Sequence, residues 1–424
     1  MAANIYITGF MGAGKSTIAQ KIAACIKRPW LDTDTLLSQK LQATPAEYIR
    51  ANGEEAFRTA EHELLGAIAE SEDFTVISTG GGLPCLPNNQ KILHESGLVV
   101  FLDASWETID ARLTDSEKAE RPLWNRQRFD ERQQIYRKCD IALDANASID
   151  SIIDEFMAKA EGFLKNAPLK TRSFQKLLRL CAKDSADFNI FQKDDRILVG
   201  LSGGEDSFLM MHLLQELKRR MPFEITLVGT TIDVGYPGFD SDRIREYCIA
   251  QGWDYHLRKV PELHRLLTSD IVGTKPCPRC SRLRRGQLHA LMKELGCNKL
   301  ALGQHLDDLC VSFLMSLFHG GGLKTMGPNV PADGRTARLV RPLWGLRKDD
   351  IKQVAKLFDF PIMPSCPYEP MLAEAGDRKF IENLLETLEE RFPGIRSAMR
   401  HSMGDLRLEH LLDKRFISTD DTHL

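Results

Sequence analysis

Residues 4–27 read NIYITGFMGAGKSTIAQKIAACIK, and this stretch determines the fold predicted for the start of the chain. It is first apolar and β-prone, then rich in glycine, and then helical in its periodicity. The glycine-rich part, Gly9–Ser16, fits the pattern G-x-x-x-x-G-K-S/T, in which backbone N–H groups at a helix N-terminus surround nucleotide phosphates. The stretch therefore predicts a strand, a phosphate-binding loop and a helix that together bind ATP.

Each residue of this loop has an expected role in binding Mg-ATP. Lys15 can reach the β- and γ-phosphate oxygens and act in catalysis, and the Ser16 hydroxyl can ligate Mg²⁺. The nucleotide-binding residues predicted here are Gly12, Ala13, Gly14, Lys15, Ser16 and Thr17.

Length and composition predict a folded chain of more than one domain. The 424 residues exceed one ordinary core, and the hydrophobic and charged fractions, 43% and 27%, are typical of globular proteins. Without a signal-peptide pattern or a long apolar run, we expect a cytoplasmic protein with no membrane partner. The net charge of −3 gives no general indication of nucleic-acid binding.

The order of strand-like and helix-like segments predicts two α/β domains, each with a parallel sheet. The strand, glycine-rich turn and helix pattern of the first domain begins again at DRILVGLSGGEDSFLMMHLLQELKRR. We predict a P-loop kinase domain of the nucleoside monophosphate kinase-like fold, followed by a PP-loop domain of the adenine nucleotide hydrolase-like, Rossmann-like fold. The predicted bounds are 1–165 for the first domain, 166–178 for a linker, 179–410 for the second domain and 411–424 for a polar tail.

Charged and glycine residues after the P-loop suggest the class of phosphoryl acceptor. Asp32 and Asp34 end a probable strand, on which they would project to the same face, near the phosphates. Paired guanidinium groups are natural bidentate partners of a carboxylate, and glycines allow the backbone to approach a ring closely. The candidates are Arg58, Gly80, Gly81, Gly82, Arg112, Arg121 and Arg132.

This ordered set resembles shikimate kinase from the start of the chain to about Phe163. The resemblance implies that Ser16 and Asp32 serve Mg²⁺ and that Asp34 orients and helps deprotonate the accepting hydroxyl. It implies further that Arg58, Arg132 and Gly80–Gly82 bind shikimate. Arg112 would pack on adenine, and Arg121, in a lid, would stabilise charge on the γ-phosphate. A kinase of another hydroxylated metabolite, such as gluconate, is the alternative.

The second glycine-rich loop, LSGGEDS at residues 201–207, resembles the SGGxDS loop of PP-loop ATP pyrophosphatases. In such a loop, backbone and hydroxyl donors hold a pyrophosphate leaving group while a substrate oxygen attacks the α-phosphate. The predicted ATP ligands are Ser202, Gly203, Gly204, Asp206 and Ser207.

Cysteines and basic residues then indicate the function of the second domain. Cys277 and Cys280 are spaced C-x-x-C, and three arginines follow them: Arg282, Arg284 and Arg285. Further along the chain, the motif GQHLDD contains His305, Asp307 and Asp308, and the motif PSCPY contains Cys366. From about Lys170 to Met403 this order resembles the tRNA 2-thiocytidine synthetases. The resemblance implies tRNA and a sulfur donor as partners, and a [4Fe-4S] cluster on Cys277, Cys280 and Cys366.

Two departures from that family leave alternatives open. Glu205 stands where the 2-thiocytidine enzymes carry lysine, and Cys366 lacks the nearby second cysteine. The cysteine pair could instead bind zinc or remain as reduced thiols. The second domain could also be a non-catalytic module that binds nucleotide or RNA for the kinase.

Overall fold

The computed structural model describes residues 3–71, 73–119, 124–261, 276–320, 322–332, 337–364, 377–407 and 410–411. The side chains of 117, 119 and 276–279 are not among the described atoms. The chain divides into two compact units, Met1–Lys176 and Leu177–Leu424. Among the described residues, no helix combines the length and apolar character needed to cross a bilayer.

Unit 1 is built on a five-stranded parallel sheet with the order β2-β3-β1-β4-β5. Its central strands are almost wholly buried, as expected for a parallel sheet covered on both faces. The strands are β1 (Asn4–Thr8), β2 (Trp30–Asp32), β3 (Val76–Ser78), β4 (Gly97–Asp103) and β5 (Ile141–Asp144).

Helices connect these strands, and short polar side chains begin several of them. Asp32, Ser105, Asn125 and Ser148 each accept a hydrogen bond from a first-turn N–H group. The helices are α1 (Lys15–Cys25), α2 (Thr33–Leu41), α3 (Pro45–Ser71, kinked at Gly53), α4 (Pro87–Ser96), α5 (Trp106–Arg112), α6 (Asp115–Ala119), α7 (Arg126–Tyr136) and α8 (Ile149–Lys170). The next helix, α9 (Arg172–Asp187), belongs to unit 2 from Leu177 onward. A 3₁₀ turn spans Leu83–Cys85.

Unit 2 contains a six-stranded sheet with the order β10-β11-β9-β6-β7-β8, in which only the edge strand β10 runs antiparallel. The strands are β6 (Arg196–Gly200), β7 (Thr226–Asp233), β8 (Tyr255–Lys259), β9 (Lys299–Ala301), β10 (Asn329–Pro331) and β11 (Arg338–Val340). The helices are α10 (Glu205–Arg220), α11 (Ser241–Ala250), α12 (Pro276–Glu294), α13 (Leu306–Met315), α14 (Lys348–Ala355), α15 (Asp377–Arg391) and α16 (Ile395–Gly404). A π-helical turn spans Ser316–Gly320.

The predicted fold class, two parallel-sheet α/β domains, is confirmed. The residues of the predicted linker, 166–178, lie in α8 and α9, which meet at Thr171. The division into units falls inside α9, between Lys176 and Leu177.

One local prediction was wrong. Asp32 and Asp34 were expected to project from the same face of one strand, but β2 ends at Asp32 and Asp34 lies in the first turn of α2. The cause is the Asp32 carboxylate, whose Oδ1 accepts hydrogen bonds from the N–H groups of Asp34 (3.0 Å) and Thr35 (3.1 Å). This N-cap starts a helix where the strand pattern was expected to continue.

Candidate active sites

The P-loop of unit 1 connects the end of β1 to α1, and two of its glycines have a backbone conformation that side chains disfavour. Gly12 and Gly14 have φ values of 83° and 90°, in the left-handed region. A Cβ atom on Gly12 would also lie 2.9 Å from Cγ2 of Ile109, so α5 packs directly on the loop. One carbonyl of the loop is also fixed in place, because Lys15 Nζ donates a hydrogen bond to the Phe10 carbonyl oxygen at 3.1 Å.

The predicted magnesium residues are in contact with each other. Ser16 Oγ donates to Oδ2 of Asp32 at 2.6 Å, and it lies 3.2 Å from Oγ of Ser78 at the end of β3. This places a hydroxyl and a carboxylate, both hard oxygen ligands, beside the phosphate loop. Mg²⁺ is commonly held by one or two such groups together with substrate phosphates, so the donor set fits this ion.

A cavity of about 740 Å³ brings the predicted acceptor residues together with the P-loop. Its lining includes Lys15, Asp34, Arg58 and Arg132, which come from α1, α2, α3 and α7. The glycine run Gly80–Gly82 follows β3 and contributes Gly81 and Gly82 to the lining. Residues distant in sequence therefore line one cavity together with the P-loop.

The glycine run fits its surroundings closely. A Cβ atom on Gly80 would lie 2.6 Å from Oδ1 of Asp34, and one on Gly82 would overlap the Arg58 guanidinium group. The Gly80 N–H also donates to Oγ1 of Thr33 at 2.8 Å, which ties the run to the start of α2. The expectation that side chains would intrude here therefore has a direct geometric basis at Gly80 and Gly82.

The two arginines predicted to bind a carboxylate have different surroundings. Arg58 is paired with Glu54 (2.9 Å) and with the buried Glu61, its neighbours one helical turn away. Arg132 is only 7% exposed, and its Cζ atom lies 5.9 Å from the centroid of the Phe10 ring. Its Nη1 atom is buried and makes no hydrogen bond to any described residue. Arg132 thus presents a desolvated cation with an unused donor, which is a strong recognition element for an anion.

Three residues of this site were missed by the sequence analysis. Glu54 and Glu61 share the Arg58 guanidinium, and the spacing Glu54, Arg58, Glu61 could have indicated the pairing. Burial raises the pKa of Glu61, with Arg58 opposing and the nearby Asp34 carboxylate adding to the increase. Tyr136 donates to the Gly81 carbonyl, which fixes the glycine run from the side of α7, and no sequence signal indicated it.

The remaining predictions for unit 1 concern the nucleotide side of the cavity. Arg112 lines the cavity and donates to the carbonyls of Ala13 (3.3 Å) and Ala145 (2.8 Å), so it joins the P-loop to the segment after β5. Thr17 lines the same cavity. Arg121 lies outside the described residues.

The loop of unit 2 follows β6 and is closed by its own hydroxyls. Ser202 N–H donates to Oγ of Ser207 at 3.1 Å, and that Oγ donates to the Gly204 carbonyl at 2.8 Å. Gly203 has a φ of 88°, and its carbonyl accepts a hydrogen bond from Met363 N–H at 2.9 Å. The loop thus contacts the segment that leads to Cys366.

A second cavity, of about 590 Å³, joins this loop to the cysteine helix α12. Cys280 lines it together with Gly200, Leu201 and Ser202, and its Sγ lies 2.9 Å from the Tyr236 hydroxyl. The Cys277 side chain and Cys366 lie outside the described atoms, so only Cys280 of the predicted cluster ligands is placed.

Arginines supply positive charge to this second cavity. Arg284 and Arg285 from α12 line it with Arg341, which follows β11, whereas Arg282 is exposed on α12. Burial and the nearby Arg285 lower the pKa of Arg341 to about 10. The mutual repulsion of these cations favours an anion between them.

Acidic residues surround His305 at the other side of the loop. His305 Nε2 lies 3.9 Å from Asp206 and 3.4 Å from Asp308, and Nδ1 lies 3.7 Å from Asp307. Burial raises the pKa of Asp206. Glu205 occupies the first turn of α10 beside Asp206. Within the described ranges, no group of three or more His, Cys, Asp or Glu side chains is arranged to hold a metal ion.

Comparison with known proteins identifies both domains. A family model of shikimate kinase matches residues 11–161, and a family model of the PP-loop domain matches residues 169–361. The chain is 35% identical over 244 residues to a tRNA-cytidine(32) 2-sulfurtransferase of Geobacter metallireducens, covering 57% of this chain and 94% of the relative.

Two solved structures are similar to parts of the chain. Shikimate kinase from Aquifex aeolicus is 32% identical, with 38% of this chain and 96% of that chain covered and a TM-score of 0.34. The U34-tRNA thiolase NcsA from Methanococcus maripaludis, solved with its [4Fe-4S] cluster, is 23% identical, with 56% and 80% covered and a TM-score of 0.46. Both predicted resemblances are confirmed by the family models and the curated relative. The chain belongs to the tRNA-cytidine(32) 2-sulfurtransferase family, and it also carries, ahead of the PP-loop domain, a domain of the shikimate kinase family.

Proposed function

We propose that the N-terminal domain transfers the γ-phosphoryl group of ATP to the 3-hydroxyl of shikimate. The observation that carries this proposal is the single cavity that contains the P-loop, Asp34, Arg58 and Arg132. A polyhydroxylated carboxylate fits this lining, because a hydroxyl can meet Asp34 while the carboxylate meets the guanidinium groups.

The chain's own residues divide the work of phosphoryl transfer. Lys15 and the loop N–H groups bind the phosphates, and Ser16 with Asp32 would hold the Mg²⁺ that neutralises phosphate charge. Asp34 orients the accepting hydroxyl and takes its proton as the oxygen attacks the γ-phosphorus and the bond to the β-phosphate oxygen breaks. We include Arg121 as a residue that stabilises charge on the γ-phosphate and Arg112 as an adenine contact.

The carboxylate would be bound mainly by Arg132. Glu54 and Glu61 already partly neutralise Arg58, whereas Arg132 has a buried Nη1 without a hydrogen bond among the described residues. A ligand carboxylate would satisfy this atom, and Arg58 would add a second contact in exchange for part of its pairing with the glutamates. The site therefore selects an anion of one negative charge rather than a neutral polyol.

The decisive experiment is an ADP-release assay on the full-length chain with Mg-ATP and either shikimate or gluconate. We expect turnover with shikimate and a sharp decrease in the Asp34→Asn variant. Arg137→Gln, a change at the exposed C-cap residue of α7, serves as the matched control and should leave turnover unchanged. Turnover of gluconate alone would identify a different kinase of the same fold.

We infer a second activity for the C-terminal domain, the ATP-dependent thiolation of a tRNA cytosine. In this reaction the cytosine oxygen attacks the α-phosphorus, pyrophosphate leaves, and sulfur from a donor then displaces AMP. Three features support the inference: the family membership, the PP-loop whose shape is fixed by hydrogen bonds of the Ser207 hydroxyl, and the Cys280 thiol in the same cavity as that loop. Arg284 and Arg285 would contact phosphates of the bound tRNA.

A [4Fe-4S] cluster would be held by Cys277, Cys280 and Cys366. The fit rests on Cys280, whose thiol faces the loop cavity, and on Met363, which hydrogen-bonds to Gly203 three residues before Cys366. Such a cluster, bound by three thiolates, leaves one iron available to sulfur. Iron and sulfide content after anaerobic purification is the test, with loss expected in Cys280→Ser and retention in Cys25→Ser, an exposed cysteine of unit 1. Stoichiometric zinc, or no metal, would exclude the cluster.

Glu205 supports a second candidate, in which the C-terminal domain binds nucleotide or RNA without catalysis. Its carboxylate adds negative charge at the N-terminus of α10, where phosphates would bind. The Glu205→Lys variant distinguishes a catalytic domain from a binding module. A catalytic domain should bind ATP more tightly in this variant and should gain tRNA-dependent ATP hydrolysis. Unchanged hydrolysis, with no thiolated cytidine detected by mass spectrometry of the tRNA, would favour the binding module.

A further inference from the structure

One polar side chain in the 590 Å³ cavity of unit 2, that of Gln304, has an orientation fixed by its neighbour Arg341. Gln304 follows β9, and Arg341 follows the adjacent parallel strand β11. Ligands of open α/β sheets bind at the carboxyl ends of the strands, and both side chains line the cavity at this edge.

The backbone on both sides of Gln304 packs on the PP-loop. A Cβ atom on Gly303 would lie 3.4 Å from the backbone nitrogen and Cα of Ser207. On the other side, His305 is buried, and its Nε2 lies 3.9 Å from Oδ2 of Asp206. Gln304 is therefore placed beside the first turn of α10, next to the loop that would bind the phosphates of ATP.

Arg341 determines which end of the Gln304 amide is free. Arg341 is only 6% exposed, its Nε donates to Oε1 of Gln304, and its Nη1 donates to the Gly327 carbonyl. A guanidinium group has donors only, so a reversed amide would set two donors against each other. The amide oxygen is therefore committed to Arg341, and Nε2 keeps both of its hydrogen atoms for another partner.

The amide nitrogen of Gln304 is available to a ligand. Nε2 makes no hydrogen bond to any described residue, and it is not one of the described polar atoms that are buried without a partner. The described lining of the cavity contains no carboxylate, whereas Arg284 and Arg285 add two more side chains that can only donate. This part of the cavity therefore fits a ligand edge made of hydrogen-bond acceptors.

The proposed thiolation requires the target base to enter this cavity. The base must reach the PP-loop, where its oxygen attacks the α-phosphorus, and it must also reach the Cys280 side, from which sulfur would arrive. Residues of both line the cavity. Beside the attacking oxygen, cytosine carries the acceptor N3, whereas uracil carries an N3–H donor at the same position.

We propose that Gln304 selects cytosine by donating a hydrogen bond from Nε2 to N3 of the base, with Arg341 as the residue that positions the amide. This inference rests on the thiolation activity proposed above. Uracil would direct its N3–H at the Nε2 donor, and a donor left unpaired in this way should lower affinity by roughly 10- to 100-fold.

The test is equilibrium binding of two hairpin RNAs to the full-length chain, measured by fluorescence anisotropy. The hairpins differ only in one loop nucleotide, a cytidine or a uridine among adenosines. A Mg-ATP analogue with a methylene group between the α- and β-phosphorus is present, so that no base is adenylated. We expect the cytidine hairpin to bind roughly tenfold or more tightly. Equal affinity of the parent chain for both hairpins would overturn the proposal.

Two substitutions attribute the preference to Gln304. Gln304→Met removes the donor without adding charge and should bring the two affinities within about twofold of each other. Gln304→Glu replaces the donor by an acceptor and should reverse the preference in favour of uridine. Gln353→Glu, the same change of charge at an exposed position of α14 outside the cavity lining, is the matched control and should keep the parent's preference.

Binding of the ATP analogue distinguishes a base contact from a nucleotide contact. Gln304→Met should bind the analogue within about twofold of the parent, which also shows that the variant is folded. Weaker binding of the analogue together with an unchanged preference for cytidine would assign Gln304 to the nucleotide and refute the proposal.

Mass spectrometry of tRNA incubated with ATP and a sulfide donor separates this inference from the thiolation on which it rests. Thiolated cytidine, with no difference between the hairpins, would leave the activity standing and overturn the role of Gln304. A preference for cytidine that Gln304→Met abolishes, without thiolated cytidine, would support Gln304 as the selecting residue and count against the thiolation.

Discussion

Alanine substitutions in the glycine run Gly80–Gly82 provide a graded test of the kinase site. A Cβ atom on Gly80 would lie 2.6 Å from Oδ1 of Asp34, and ordinary contacts begin at 3.4 Å, so the carboxylate must retreat by about 0.8 Å. A misplacement of about 1 Å at a reacting group costs on the order of 100-fold in rate. We therefore expect Gly80→Ala to lower kcat with shikimate by about 10- to 100-fold, or about 1.4–2.8 kcal/mol of barrier.

The other two glycines should respond differently. A Cβ atom on Gly82 would overlap the Arg58 guanidinium, so Gly82→Ala should mainly raise KM for shikimate, by roughly tenfold. A Cβ atom on Gly81 would lie 3.4 Å from the Met11 nitrogen, an ordinary contact, so Gly81→Ala should stay within about twofold of the parent in both constants.

The assay is steady-state ADP release with varied shikimate at saturating Mg-ATP, and then with varied ATP at saturating shikimate. Gly66→Ala is the matched control, because a Cβ atom there meets nothing within 4 Å and α3 should tolerate or favour alanine. If Gly81→Ala proved as damaging as Gly80→Ala, or if Gly80→Ala retained full turnover, the assignment of Asp34 as the group beside the accepting hydroxyl would be wrong.

Three further predictions concern buried charged and titratable groups. Arg132→Gln should raise KM for shikimate more than tenfold and leave KM for ATP within twofold, with Arg137→Gln unchanged, in the same assay. Burial lowers the pKa of His212 to about 3. Protonation of the unfolded chain should therefore remove about 2 kcal/mol of stability between pH 7 and pH 5, and His212→Phe should lose this dependence in hydrogen exchange of α10 peptides. Lys299 and Asp195 form an ion pair of 2.6 Å with both side chains 2% exposed. Lys299→Met should destabilise unit 2 by about 3–5 kcal/mol, measured as a lower urea midpoint by pulse proteolysis, whereas no change would mean that Asp195 is satisfied without it.

The sequence was sufficient for the strand, loop and helix units because these depend on local patterns. The glycines at 12 and 14 have φ values near 90°, and the short β-prone apolar run before them is typical of a buried strand in a parallel sheet. The same local reasoning failed at Asp32, where a strand and a helix N-cap are both compatible with LDTD. The helix begins here because the Asp32 carboxylate accepts hydrogen bonds from the N–H groups of Asp34 and Thr35.

Features that depend on contacts between distant segments could not be predicted. Tyr136 is 55 residues away from Gly81, whose carbonyl it binds, and Met363 is tied to Gly203 across 160 residues of sequence. Residue types indicated which side chains could act in binding or catalysis, but only the fold shows which of them line the same cavity.

The described lining residues of the two cavities come from separate units. Every residue lining the 740 Å³ cavity belongs to unit 1, and every residue lining the 590 Å³ cavity belongs to unit 2. Each cavity is lined by residues of its own glycine-rich loop, so neither proposed reaction needs a side chain from the other domain among these lining residues. If ligands of the two domains were coupled, the coupling would appear as reciprocal changes in their binding affinities. Shared catalytic residues would instead make both activities fail together, and the separate linings argue against this.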